Sequence, residues 1–228
     1  MEDDQVVGAV VYGVITWAAL FIVLRKSLGP KRSFDFCNRL VSTIHACLAV
    51  VLSCLSIQDW TCPACPFASK PSPTQMRSLV VTLSYMVYDI LCGVFGNNLK
   101  IDNFFHHSVC IIGSIAGFLY QMGGSEMVAA LCITEISTPF LHLREILKDL
   151  GYKDTSLNLA ADICFAVVFT LGRMVAGPYL TYLTVTAHNP ILMKAMALGL
   201  QLVSAFWFYK IARMLKYKLF VAPRNAHK

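Results

Sequence analysis

Two adjacent histidines, His106 and His107, stand at the head of an apolar stretch that runs from Ser108 to Met122. Imidazole titrates nearer neutrality than other side chains and can serve as base, acid or metal ligand. Each role makes its own demand on spacing. A zinc site drawn from His106, His107, His142 and Asp162 has permissible ligand types, but neighbouring helical residues point about 100° apart and rarely reach one ion. No metal is therefore expected. A membrane di-iron oxygenase would require repeated histidine clusters, which the six histidines here do not form. General-base catalysis of acyl transfer fits the pair better. One imidazole takes a proton from an amine or hydroxyl while the other stabilises charge or is itself acylated. A plainer reading stands beside it, in which the pair ends a helix and meets water at the headgroup level.

The elements that must hold this pair are those of a membrane protein. The chain has 228 residues, 57% of them hydrophobic and 14% charged, outside the usual range for a soluble domain. Windows of about 20 apolar residues fall near 6–24, 40–57, 78–96, 105–122, 126–147, 158–183 and 192–213. The expected fold is all-α, a polytopic helical bundle of about seven spans, with six spans and one re-entrant segment as the alternative. Pro139 should kink the fifth segment just past Glu135. The acidic Met1-Glu2-Asp3-Asp4 start lacks the basic region of a cleavable signal, so the first segment is expected to stay as an anchor.

Charge sets the orientation. With seven spans, fifteen of the nineteen lysines and arginines, including Arg25, Arg39, Lys100, Arg144 and Lys210, collect on one side. By the positive-inside rule that side is cytosolic, placing the N terminus in the lumen or exterior and the C terminus in the cytosol. The net charge of +6 then meets anionic headgroups, and nucleic acid is not an expected partner. Cys62 and Cys65, in a Pro-rich luminal loop, read as a local disulfide or two free thiols. The other cysteines within apolar segments read as small buried residues.

Ionisable groups at membrane depth are functional candidates by default. At about 1.5 Å per residue, His45 lies about 9 Å in from Arg39 and Asp89 about 10 Å in from Gly96. His107, His142 and Asp162 fall in the same cytosolic half, so the five outline a polar pocket. Glu135 and Arg173 lie deeper and are natural partners, a pairing with a purely structural reading as well. Asp102 and Lys100 read as solvated loop charges, Glu126 as a group at the luminal interface, and Trp207 as packing. No internal repeat is evident, which argues against a transporter built from two similar halves.

The run Asp102-Asn-Phe-Phe-His106-His107, followed by Thr134-Glu135-Ile-Ser137-Thr138-Pro139-Phe140-Leu-His142-Leu-Arg144, resembles the TLC domain shared by translocating-chain-associated membrane proteins, Lag1 ceramide synthases and the CLN8 protein. The Glu-x-Ser-Thr-Pro-Phe run is similar to the small TLC-domain-containing branch. This resemblance implies a six-helix barrel with one extra helix around a lipid cavity. It divides the chain into a first span over 1–29, a TLC domain over 30–218 and a basic cytosolic tail over 219–228. It implies a role in lipid homeostasis, with membrane lipids as partners and the endoplasmic reticulum as location, the Golgi and plasma membrane being alternatives. His106 and His107 carry over as the pair that joins an acyl group to an amine. The acyl group would come from acyl-CoA as co-substrate, with no bound cofactor. The ceramide synthases have two further acids downstream where this chain has Glu135, then Ser137 and Thr138. A non-catalytic lipid-binding regulator and a small transporter are the competing expectations.

Overall fold

The computed structural model describes residues 3–97 and 99–218. The basic tail expected over 219–228 lies outside the described residues. Helices carry the chain: α1 (Asp3–Leu28), α2 (Phe34–Ser56), α3 (Pro73–Phe95), α4 (Ile101–Tyr120), α5 (Gly124–Glu135), α6 (Thr138–Asp149), α7 (Ser156–Phe169), a π-helical segment (Thr170–Ala176), α8 (Gly177–Thr186) and α9 (Ile191–Lys216). No strand occurs among the described residues.

Helix starts are set locally. Ser33 Oγ accepts the Phe36 N–H at 3.0 Å and caps α2. Ser72 and Gln75 form a reciprocal capping box at the start of α3, where Pro73 supplies a preset φ. Thr155 caps α7. The turn into α5 passes through Gly123 at φ 73°, a left-handed conformation that glycine adopts without a Cβ clash.

Six rods close a ring. Contacts run from α2 to α3, α3 to α4, α4 to α9, α9 to the α7–π–α8 rod, and back to α2 through α5 and α6. Helix α1 leans on the outside of α3 and α2, the extra helix of the expected arrangement. The exterior is as apolar as the core, and the interior carries polar groups among its hydrophobic clusters. Val7, Val11, Ile15, Leu202 and Phe206 face outward, while His45, Gln75, Asp89, Asn158, Asp162 and Arg173 are buried. With lipid outside there is little hydrophobic drive between helices, so close packing and internal hydrogen bonds hold them. Trp17 on α1, for example, donates to Ser84 Oγ on α3 at 3.3 Å.

Five helices are long and apolar enough to cross a membrane by length and composition: α1, α2, α3, the continuous Ser156–Thr186 rod and α9. The other two segments expected as spans depart from that pattern for visible reasons. Helix α4 begins at Ile101, earlier than expected, so Asp102, Asn103, His106 and His107 occupy its first two turns and dilute its apolar character. The fifth segment is broken rather than kinked. Pro139 has no N–H for the Glu135 carbonyl and its ring crowds that group, so α5 stops at Glu135 and α6 begins at Thr138. Each half has 12 residues, about 18 Å of helix, and the two form one rod only in series.

At the end opposite the lysines and arginines, Cys62 and Cys65 are disulfide-bonded in the loop between α2 and α3. That loop folds over α5: Ala68 N–H donates to Glu126 Oε1 at 2.6 Å and Gly124 N–H to the Ser69 carbonyl at 3.2 Å. Glu126 is therefore only 2% exposed, a buried loop anchor and not the interfacial group expected. Cys47 and Cys164, expected to be buried, face outward.

Candidate functional site

At the basic end the helix termini leave a cavity of about 420 Å³. Its wall carries His45, Asp89, His106, His107, Glu135, His142 and Arg173, seven of the eight groups expected at the site. The eighth, Asp162, is fully buried beneath one rim, 2.6 Å from Arg144 Nε and paired with Lys218 Nζ. It acts on the cavity through Arg144, which lines it.

The histidine pair sits one and a half turns inside α4 and not at its threshold. His106 and His107 are 5% and 7% exposed, so a water-facing helix end does not describe them. Asp89 on α3 stands 3.5 Å from His107 Nδ1, close enough to orient the ring though not aligned as a hydrogen bond. The carboxylate is itself held: Asn38 Nδ2 donates to Oδ1 at 2.9 Å and Asn103 Nδ2 to Oδ2 at 3.2 Å. Tyr88 in turn donates its hydroxyl to Asn38 Oδ1 at 2.8 Å. A carboxylate fixed by two amides and facing one imidazole nitrogen is the arrangement that orients a general base, leaving Nε2 to a substrate proton.

His45 stacks on Tyr85 with ring centroids 3.7 Å apart, and Tyr85 donates its hydroxyl to Ser42 Oγ at 2.8 Å. His45 is 1% exposed and serves as the inner wall. His142 on α6 lines the same cavity, as do Arg39 and Glu145. Arg39 reaches Glu145 and Asp149 at 3.8 and 3.9 Å.

Glu135 and Arg173 were expected to pair. Both line the cavity, but no nitrogen–oxygen distance between them falls within 4.0 Å among the described residues. Arg173 Nη2 instead donates to the Thr134 carbonyl at 2.7 Å, a bond that the break after Glu135 makes possible by ending α5 there. Two local features bring the arginine in. Pro178 cannot donate back to Met174, and the turn before it widens into the π segment. Gly172 lets that segment press on α5, since a Cβ there would stand 2.6 Å from the Ile133 carbonyl oxygen.

Three groups escaped the sequence reading. Asp102, expected to be a solvated loop charge, is half-buried in the first turn of α4 and accepts from Trp207 Nε1 at 3.2 Å and Lys210 Nζ at 2.8 Å. Trp207, read as packing, places its ring 4.9 Å from His106 and 5.5 Å from the Arg173 guanidinium. Asn38 was not singled out, although Asn38, Ser42 and His45 repeat at the i, i+4, i+7 spacing of one helix face.

A second cavity of about 130 Å³ lies toward the opposite end, walled by Met86, Val109, Gly113, Met127, Ala130, Leu131, Met196, Ala197 and Leu200 among others. Arg173 lines both cavities. The interior is thus two chambers, one polar and one apolar, meeting at a buried guanidinium. A polar chamber with an imidazole beside a held carboxylate, sharing Arg173 with an apolar chamber, can hold an amphiphile and act at its head.

The residues from 35 to 213 match the TLC domain. The chain is 31% identical over 204 residues to TLC domain-containing protein 4-B of Danio rerio, covering 82% of this chain and 75% of that protein. It is 25% identical over 148 residues to a TLC domain-containing protein of Acanthamoeba polyphaga mimivirus, covering 62% of this chain and 74% of its relative.

Proposed function

The chain belongs to the TLC-domain family, and on that premise we propose that this multi-pass membrane protein works in lipid homeostasis by holding a lipid or acyl chain inside its bundle. The first methylenes of the tail occupy the apolar chamber and the head the histidine chamber. The observation that carries this reading is that an apolar cavity and a polar one share Arg173 in their walls, a profile that matches an amphiphile and neither an ion nor a purely apolar guest.

The chemistry such a site supports is acyl transfer from acyl-CoA to an amine or hydroxyl. His107 Nε2 accepts the proton as the nucleophile bonds to the acyl carbon, and returns it to the departing thiolate. Asp89 holds the ring and offsets its transient charge. His106 lies beside it, ring centroids 5.5 Å apart. Arg39, Lys100 and Lys210 at the rim supply positive charge for the phosphates of the carrier. The opening faces the cytosol, where acyl-CoA is, in the endoplasmic reticulum by analogy with the family.

The test compares wild type with the His106→Ala/His107→Ala double variant, purified in matched detergent and incubated with pooled acyl-CoA and an amine and lysolipid panel under untargeted mass spectrometry. A new acylated product from wild type alone is expected, with a loss of about 10²- to 10⁴-fold in the variant. The same endogenous lipid copurifying with both, and no product from either, would leave a non-catalytic lipid-binding regulator.

A further inference from the structure

Arg173 is 4% exposed and carries a charge that proteins do not neutralise by deprotonation. A buried cation of this kind ordinarily has a carboxylate against it. Here none lies within 4.0 Å among the described residues. Nη2 donates to the Thr134 carbonyl at 2.7 Å, while Nε and Nη1 are buried with no hydrogen-bond acceptor among the described residues. The group is held in place from the sides. Its guanidinium carbon lies 5.4 Å from the Phe169 ring and 5.5 Å from the Trp207 ring, and its own carbonyl accepts from Gln201 Nε2 at 3.2 Å. Burying polar donors without acceptors is costly, and a fixed guanidinium with free donors at the seam of two cavities is a receptor for oxygen.

We propose that Arg173 is the binding group for an acyl oxygen, either the carboxylate of a fatty acid or the carbonyl of an acyl thioester, whose first methylenes lie in the apolar chamber of about 130 Å³. This rests on the lipid-holding reading above and names the head-group chemistry. Position supports it independently of the charge: Arg173 is shared by both cavities, so an oxygen bound there begins the polar head as the tail ends. His106, which packs at a tilt against the same Trp207, then adjoins the acyl carbon. Glu135, on the polar wall, limits how much additional negative charge the chamber accepts, so that a single acyl oxygen and not a multiply charged head sits at this depth. A cationic head is excluded by the arginine itself.

The full chain, purified and stripped of lipid, is titrated with radiolabelled dodecanoate, and with dodecanoyl-CoA, dodecanol and dodecylamine as competitors. Wild type is expected to bind dodecanoate or dodecanoyl-CoA at least about tenfold more tightly than dodecylamine, the equivalent of about 1.4 kcal/mol. Arg173→Met should remove that preference while leaving dodecanol binding intact, and Arg173→Lys should restore part of it. Tighter binding of the free acid, or of the thioester, identifies which source supplies the oxygen. Retained dodecanol binding shows that Arg173→Met still folds, and partial rescue by Arg173→Lys separates oxygen recognition from a purely structural arginine. Equal affinity of wild type for dodecanoate and dodecylamine overturns the proposal without any variant. Binding of none of the four by wild type defeats the lipid-holding reading itself, and dodecanol binding with no dependence on Arg173 defeats only the present one.

Discussion

The chamber at the basic end is walled by helix termini: the first turns of α2 and α4, the last turns of α3 and α9, and the α6 half of the broken rod. The chamber beyond Arg173 takes half of its wall from leucine, methionine, alanine and glycine, and much of the rest from small hydroxyl residues such as Thr82, Thr134, Thr181 and Thr184. In the first chamber His45, Asp89, His106, His107 and Glu135 are buried, and amides hold a carboxylate among them, as Asn38 and Asn103 hold Asp89. Hydroxyls in the second bond back to their own helix, as Thr134 Oγ1 does to the Ala130 carbonyl at 2.7 Å and Thr184 Oγ1 to the Leu180 carbonyl at 2.9 Å, so the inner chamber stays largely apolar and its methionines can adapt to a flexible chain. The same ring of helices thus makes two environments. Arg173 stands at their boundary.

Substitutions separate the two chambers. The largest effect is expected at the floor of the polar one. Asp162→Ala removes the fully buried carboxylate that pairs with Arg144 Nε and Lys218 Nζ and leaves Arg144 only Glu145 at 3.3 Å, so about 3 kcal/mol of stability should be lost, read as a lowered melting temperature in detergent. Asp162→Asn should lose less. A smaller effect is expected at the seam. Gly172→Ala forces a Cβ against the Ile133 carbonyl, costing about 1–3 kcal/mol by overpacking, and it should weaken acyl-chain retention because the π segment that carries Arg173 is pushed off α5. The smallest is in the polar wall. Tyr85→Phe removes one hydrogen bond to Ser42, about 1 kcal/mol, and should leave bound lipid unchanged. If Tyr85→Phe released lipid and Gly172→Ala did not, the roles of the two chambers would be reversed.

The polar chamber was legible in the sequence and the apolar one was not. His45, Asp89, His107 and His142 could be placed at one end because lysines and arginines mark the loops and a helix rises a fixed distance per residue. The broken rod was half legible: Pro139 marks the site, but whether a proline kinks or breaks a helix depends on what packs against it, which no local pattern reports. Asp102 was missed because α4 begins before its apolar stretch does, so a helical first turn looked like loop. The inner chamber has no signature, since Met127, Ala130 and Leu200 have the composition of any packed span and only the tertiary arrangement leaves a cavity between them. The unpaired state of Arg173 was equally hidden. Opposite charges at similar depth invite pairing, and the structure instead turns the guanidinium toward a backbone carbonyl freed by the α5 break.

The central claim is that a lipid tail lies inside the ring and not merely around it. Photolabelling the full chain in membranes with a fatty acid bearing a diazirine among its first methylenes, then mapping the modified peptides by mass spectrometry, tests this most directly. Label on Met127, Ala130, Met196 and Leu200, suppressed by excess unlabelled fatty acid, is the expected result. Label confined to the outward residues Val11, Ile15, Leu202 and Phe206, and insensitive to competition, would contradict it.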